Sequence, residues 1–243
     1  MSELTPYRPQ FCSLLRGLGE VYANPRPLAD YQAMFALTND TVKAARILDC
    51  PAGVSPFGAQ VRALGGTVTS VDPAYALSAD QLEARAHGDL HRIFHDAGAD
   101  PFTQQSRGPL SVNRAEVSAS IDSFLTDYVK NAECYTAARL PELPFPDNSF
   151  DLALSGNLLF AHPGQLDENT TIEFLAELLR VACEVRIFPV TDRMSVPHPL
   201  LDSIVDTLRV NGVIATTLDV PYRLQCGGTR MLRCASGTLS STH

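Results

Sequence analysis

Lysine is almost missing from this chain. Of its 19 basic residues only Lys43 and Lys130 are lysines, which reads as the codon bias of a GC-rich genome rather than as function. Basic charge is also outnumbered, because 27 acidic residues leave a net charge of -8. That balance argues against a nucleic-acid backbone as the main partner, since phosphate binding needs a basic face. Paired cysteines are lacking too. Cys12, Cys50, Cys134, Cys183, Cys226 and Cys234 form no CxxC pair, and none has a histidine at ligand spacing. They read as reduced core thiols of a cytoplasmic protein, with no disulfide framework and no metal site. No apolar run approaches the length of a bilayer span, and MSELTPYRPQ does not read as a signal peptide, so no membrane partner is expected. The run CPAGVSPFG lacks the Gly-x-Gly-x-x-Gly of a dinucleotide site, which ranks an NAD-dependent enzyme last among the readings.

What is present is an ordinary globular composition: 243 residues, 45% hydrophobic and 19% charged. A chain of this length buries a substantial core without staples and is read as a single domain, 1–243. Phe11, Leu14, Leu15 and Leu18 recur at helical spacing, Pro25 and Pro27 interrupt, and Tyr31 to Leu37 is a second short helix. Residues 1–45 are thus expected to be helical cover ahead of a sheet.

The most informative stretch is RILDCPAGVSPFGAQVRALGGTVTSVDP, residues 46–73. Ile47 and Leu48 lead a strand into Asp49, and Cys50 to Ser55 make a turn of small residues. Ser55 is a good N-cap with Pro56 at the first helical position, and Gly65 and Gly66 stop that helix. Thr67 to Val71 is a β-branched second strand closed by Asp72, 23 residues after Asp49. A carboxylate at the tip of the second strand of a doubly wound sheet is placed to accept two hydrogen bonds from a ribose diol. The stretch points to an adenosine cofactor.

Beyond it comes a long excursion, 74–133, read as a helical insertion or lid after strand two, with helices at Ser78 to His91 and Asn113 to Lys130 around an Asp96 to Pro109 loop. Ile121, Phe124, Leu125 and Tyr128 share one face of the second helix. Strands follow at Cys134 to Ala138, Asp151 to Ser155, Glu184 to Val190, Val213 to Val220 and Thr229 to Cys234. Helices are expected at Glu173 to Ala182 and Pro199 to Val210, with Gly212 as the stop. This alternation predicts an α/β fold with a doubly wound, mostly parallel seven-stranded sheet. The last two strands lie too close for a helical crossover, so the last strand runs antiparallel.

Three runs carry a family resemblance: LPFPDNSFDLALS (Leu143 to Ser155), ILDCPAG with the later VDP, and EFLAELLRVACEVRIFPV. The chain resembles the class I S-adenosylmethionine-dependent methyltransferases of the small-molecule type, over about Ala45 to Val190 apart from the excursion. VPYRLQCGGTRML (Val220 to Leu232) is similar to a narrower set of uncharacterised bacterial proteins. The resemblance implies a Rossmann-like methyltransferase fold, S-adenosyl-L-methionine as cofactor and a small-molecule methyl acceptor. It places Asp49, Cys50 and Gly53 at the methionine end of the cofactor, Asp72 and Pro73 at the ribose, Arg139 and Leu140 beside the adenine, and Ser155 and Gly156 beneath the sulfonium. Pro51 and Ser55 stand where the family carries glycines, Arg139 stands where an acid often meets the adenine amine, and the usual PGG turn is replaced by Ala182, Cys183 and Glu184. These departures motivate the alternative of a non-catalytic nucleoside-binding or regulatory protein on the same fold.

The remaining candidates have bland readings beside sharp ones. His162 follows the fourth strand as a base for a hydroxyl or thiol acceptor, or as a solvated loop histidine. His87, His91 and His95 recur at i, i+4 and i+8, which suggests a metal but reads as a polar helix face. Arg186, inside an apolar strand, pairs with Glu184 or Asp192, or meets an anionic substrate. Tyr222 and Gln225 are weak candidates for substrate contacts at the final turn. A homodimer is compatible with the sequence, which does not specify oligomeric state.

Overall fold

The computed structural model describes residues 25–95 (backbone alone from 90), 114–160, 164, 166–191, 196–222 and 229–236. Two short helices, α1 (Leu28–Phe35) and α2 (Asn39–Ala44), precede strand β1 (Arg46–Asp49). The chain continues through α3 (Phe57–Ala63), β2 (Thr67–Val71), α4 (Ala79–His95), α5 (Arg114–Lys130) and β3 (Tyr135–Thr136). Then come β4 (Phe150–Gly156), α6 (Glu168–Val181), β5 (Ala182–Phe188), α7 (Leu201–Val210), β6 (Val213–Asp219) and β7 (Arg230–Ser236).

The strands form one seven-stranded sheet in the order β3-β2-β1-β4-β5-β7-β6. All pairs are parallel except the two made by β7, which runs antiparallel to β5 and to β6. The expected fold class is thus the observed one. Alternate residues of the buried strands feed two apolar layers, as period-two geometry requires. Ile47, Leu152, Leu154 and Phe188 pack against α1 and α3, through Met34, Phe35 and Phe57. Leu48, Ala153, Val185 and Ile187 pack against α6 and α7, through Leu175, Leu178 and Ile204. Each of these side chains larger than alanine, fully buried, contributes roughly 1.5–3 kcal/mol.

Several boundaries differ from the expectation for local reasons. The helix before β1 is split: α1 begins at Leu28 behind Pro27, and a separate α2 is capped by Thr38, whose hydroxyl accepts the Thr41 amide. Gly66 must be glycine, because a Cβ there would sit 2.3 Å from the Val42 carbonyl oxygen, where α2 crosses the start of β2. The expected strand Cys134 to Ala138 shrinks to Tyr135–Thr136, since a 3-10 turn takes Ala132–Cys134. Helix α6 starts at Glu168 rather than Glu173, because Asp167 caps it by accepting the Thr170 amide.

The long excursion divides. Helix α5 packs beside α3, as the ordinary crossover into β3 would, and α4 is the added element. Ser78 and Gln81 close a reciprocal capping box at the start of α4. The expected loop Asp96 to Pro109 lies outside the described residues, as do Phe11 to Leu18, Cys12, His162, Asp192, Gln225, Cys226 and the side chains of His91 and His95. Of the thiols expected in the core, Cys50 and Cys234 are buried, but Cys183 is exposed at the start of β5. No described helix is long and apolar enough to cross a membrane.

Candidate functional site

The carboxyl ends of β1, β2 and β4 meet at one rim, and the residues singled out by sequence converge there. The turn after β1 is pinned by its own backbone: the Cys50 amide donates to the Leu154 carbonyl and the Ala52 amide to the Val71 carbonyl, each at 2.9 Å. Gly53 follows with φ +57, and a Cβ there would meet nothing within 4 Å. Backbone conformation, not crowding, therefore demands glycine, and open space lies beside it. The Gly53 amide donates to Asp72 Oδ2 at 3.0 Å. Asp72 also caps the 3-10 turn Pro73–Ala76, its Oδ1 accepting the Ala74 amide at 2.8 Å. Each carboxylate oxygen thus takes one backbone donor and keeps a second lone pair for a ligand hydroxyl.

Asp49 is 1% exposed at the end of β1. Its hydrogen-bonding partner is the Tyr31 hydroxyl of α1, at 3.0 and 3.2 Å from its two oxygens. Tyr31 is fixed by stacking on Phe57, ring centroids 4.0 Å apart. Burial pushes the Asp49 carboxyl well above the ordinary range, the Tyr31 hydrogen bond draws it back, and the Asp72 charge pushes it further up. Burial raises Asp72 as well, opposed by its two backbone donors and the Arg85 charge. Two acids of like sign therefore share a desolvated rim.

The cover over this rim comes from elements the sequence left vague. Ser55 is not the N-cap expected of it: α3 starts at Phe57 with Pro56 at the cap, so Ser55 lies one residue further out, accepting the Phe57 amide at 3.1 Å and donating to the Arg26 carbonyl at 2.6 Å. Leu82 and Ala86 of α4, with Val117, Ile121 and Phe124 of α5, bury Ala52 and Val54 of the turn. Tyr75 donates to the Gly53 carbonyl at 2.6 Å. Tyr128 in turn donates to the Tyr75 carbonyl at 3.2 Å. The excursion is thus seated on the glycine turn rather than projecting away from it.

The other expected site residues divide by the direction of their side chains. Cys50 and Leu140 point into the main apolar core, so only their backbone faces the rim. Burial, then the Asp49 and Asp72 charges, push the Cys50 thiol far up, which makes it an inert hydrophobe. Arg139 begins a tight bend, its carbonyl accepting the Glu142 amide at 3.0 Å. Pro73 is exposed at the first position of its turn. Ser155 is fully buried at the end of β4, and its Oγ has no hydrogen-bonding partner. Next to it, a Cβ on Gly156 would lie 3.5 Å from Met34 Cε and 3.7 Å from Phe35 Cζ, so α1 also walls the β4 tip.

Two weaker candidates are structural. Arg186 donates to Glu184 at 2.6 Å and to the Phe35 carbonyl at 2.7 Å, placing a cation at the carboxyl end of α1. Tyr222 is 2% exposed, packed edge-on against Phe188 and bonded by Arg26, so it is a core residue rather than a rim contact. Tyr31 and Tyr75 were the residues that sequence reasoning missed. Only the burial implied by helical spacing around Tyr31 hinted at a role, because its partner lies 18 positions away.

No protein-family model matches the chain. An uncharacterised protein of Methanocaldococcus jannaschii is 26% identical over 210 residues, 85% of this chain and 92% of that protein. Among solved structures, the 1,6-didemethyltoxoflavin-N1-methyltransferase of Burkholderia thailandensis, with 1,6-didemethyltoxoflavin and S-adenosylhomocysteine bound, superposes with a TM-score of 0.54. The match covers 97% of this chain and 93% of that enzyme at 13% identity. The N-methyltransferase NodS of Bradyrhizobium japonicum, in complex with S-adenosylhomocysteine, aligns at a TM-score of 0.44 and 12% identity over 94% of this chain and 99% of its own. With its 3-2-1-4-5-7-6 strand order and reversed seventh strand, this chain has the Rossmann-like fold of a class I S-adenosylmethionine-dependent methyltransferase.

Proposed function

We propose that this chain binds S-adenosylmethionine at the β1–β2–β4 rim and transfers its methyl group to a small molecule. The observation that carries the reading is the acid pair, Asp49 buried and Asp72 half-buried. Asp49 and Asp72 lie at neighbouring strand tips, and the charge that acts on Asp49 is another negative one. Such a rim repels a pyrophosphate and favours a ligand bearing positive charge, as the sulfonium and ammonium of this cofactor do. The open side of Gly53 and the orphaned Ser155 hydroxyl fit a ligand that lies across the turn and supplies a polar partner.

In this reading Asp72 accepts the ribose hydroxyls with its free lone pairs, while its backbone donors hold the carboxylate in place. Asp49 faces the methionine end, and Tyr31 fixes the orientation of its carboxylate. Arg139 and Leu140 would border the adenine through backbone groups, and Cys50 and Pro73 would do the same at their places on the rim. When bound, the cofactor supplies an already activated methyl electrophile. The protein's task is then alignment, along with exclusion of water by α1 and α4. His162, as a base for the acceptor, belongs to this proposal without structural description.

Titration calorimetry with S-adenosylhomocysteine tests the reading. Saturable heat and a raised melting temperature are expected; no heat and no shift at millimolar ligand end it. A second reading, a nucleoside-binding protein without turnover, is favoured by one observation. Asp49 and the Gly53 carbonyl are already engaged by Tyr31 and Tyr75. Methyl transfer from labelled cofactor to a metabolite extract separates the two, because the second reading keeps the heat and loses the label.

A further inference from the structure

We propose that strand β6 pairs antiparallel with β6 of a second copy of this chain, about a twofold axis at Thr216. Strand β6 is the last in the sheet order, so one of its long edges is free of a described strand. The hydrogen-bond parity is fixed by its other neighbour. The Val220 amide donates to Thr229 in the register that pairs Leu218 with Met231 and Thr216 with Arg233. Even-numbered residues therefore spend their amides and carbonyls on β7, while Val213, Ala215, Thr217 and Asp219 aim theirs at the outer edge, where Arg209 of α7 donates to the Ala215 carbonyl at 3.0 Å and leaves that oxygen one lone pair for the partner's Thr217 amide.

That edge is self-complementary. With the axis at Thr216, Ala215 meets the partner's Thr217 and Val213 meets the partner's Asp219, all of them residues with outward backbone groups. Thr216 faces the partner's Thr216 across the axis, a favourable cross-strand pair. Ile214 falls opposite the partner's Leu218 on the same face. These two are 61% and 38% exposed in the single chain, so the pairing covers apolar surface that the monomer leaves in water. No charged residue occurs from Val213 to Leu218, and Asp219 meets a valine, so no like charges oppose each other. Nor does the strand carry the lysine or proline that commonly blocks an exposed edge. A second copy is the occupant that satisfies backbone parity, side-chain match and charge together.

Sedimentation velocity over a concentration series, with melting curves as the folding control, tests the pairing. The wild type is expected to sediment at twice the chain's mass. Thr217→Pro removes an outward amide and leaves the backbone ladder to β7 in place, although it also removes the hydroxyl that accepts from Arg230 at 2.8 Å, so its stability is read beside Thr217→Val, which loses only that hydroxyl. Thr217→Pro is expected to weaken dimerisation roughly 10- to 100-fold, since one hydrogen bond is lost on each side of the axis. Ile214→Lys, at an exposed position, is expected to give a folded monomer, and it decides the matter if Thr217→Pro does not fold. A wild type that stays monomeric at all concentrations overturns the proposal, as does a folded Ile214→Lys variant that still dimerises as tightly as the parent.

Discussion

Two acids on the same sheet, Glu184 half-buried and Asp49 buried, live in opposite electrostatic worlds. Glu184, on β5, accepts from Arg186 at 2.6 Å and from Arg233 at 2.5 Å. Burial alone would raise its carboxyl, but those two guanidinium groups outweigh it and hold it below the ordinary range. Asp49, at the tip of β1, has one neutral hydroxyl partner and a like charge nearby, and its carboxyl is pushed well up. Glu184 is finished within the fold, tying β5 to β7 and, through Arg186, to α1. Asp49 is left electrostatically incomplete, and an incomplete buried charge in a cleft is where a ligand of opposite sign has most to gain.

The largest effect is expected at the incomplete end. Asp72→Ala removes the ribose acceptor and the partner of the Gly53 and Ala74 amides. S-adenosylhomocysteine affinity, read by calorimetry, should fall by about two orders of magnitude, roughly 3 kcal/mol. An unchanged affinity breaks the contrast, because Asp72 would then be a turn cap alone. At the finished end, Arg186→Met should cost about 2 kcal/mol in urea unfolding and leave cofactor affinity intact. A variant of normal stability that lost affinity would turn Arg186 into a site residue.

Asp49→Asn should separate stability from binding. In the ligand-free protein the amide relieves a buried charge, so at neutral pH the melting temperature should rise by a few degrees, about 1 kcal/mol, while cofactor affinity drops. The two acids should also give opposite pH slopes. A raised folded value means that Asp49 stabilises most below the ordinary carboxylate range, and that this contribution is lost as pH rises through the raised value. A lowered folded value means that Glu184 stabilises above its ordinary range and loses that contribution as pH falls through the lowered value. Melting temperature against pH for Asp49→Asn and Glu184→Gln should therefore flatten opposite limbs of the wild-type profile. Smallest of all, Tyr31→Phe removes one hydroxyl and should change stability by about 1 kcal/mol or less while shifting the pH dependence of cofactor binding upward. An unmoved pH profile would make Tyr31 a packing residue only.

The site was legible where its logic is local. The strand from Arg46 to Asp49, the turn at Gly53 and the strand from Thr67 to Val71 closed by Asp72 are legible with their observed bounds, because β-branched runs and glycines act within a few residues of themselves. The ending of β4 in Ser155 and Gly156 was legible for the same reason. What was not legible depended on contacts across tens of residues. Tyr31 on Asp49, Tyr75 on Gly53, and the seating of α4 on Ala52 and Val54 all join segments whose spacing carries no pattern. Tyr222 failed as a rim residue because nothing in VPYRLQ tells an aromatic bound for Phe188 from one bound for a ligand.

By itself the sequence determined the alternation of strands and helices, the two acids at strand tips and the reversal of the last strand, since each follows from periodicity, capping and loop length. Only the tertiary structure decided that Asp49 is sealed by a tyrosine while Glu184 is matched by two arginines. The charge state of a buried carboxylate is set by whatever the fold brings within a few ångströms of it, and that neighbourhood is assembled from parts of the chain that do not adjoin.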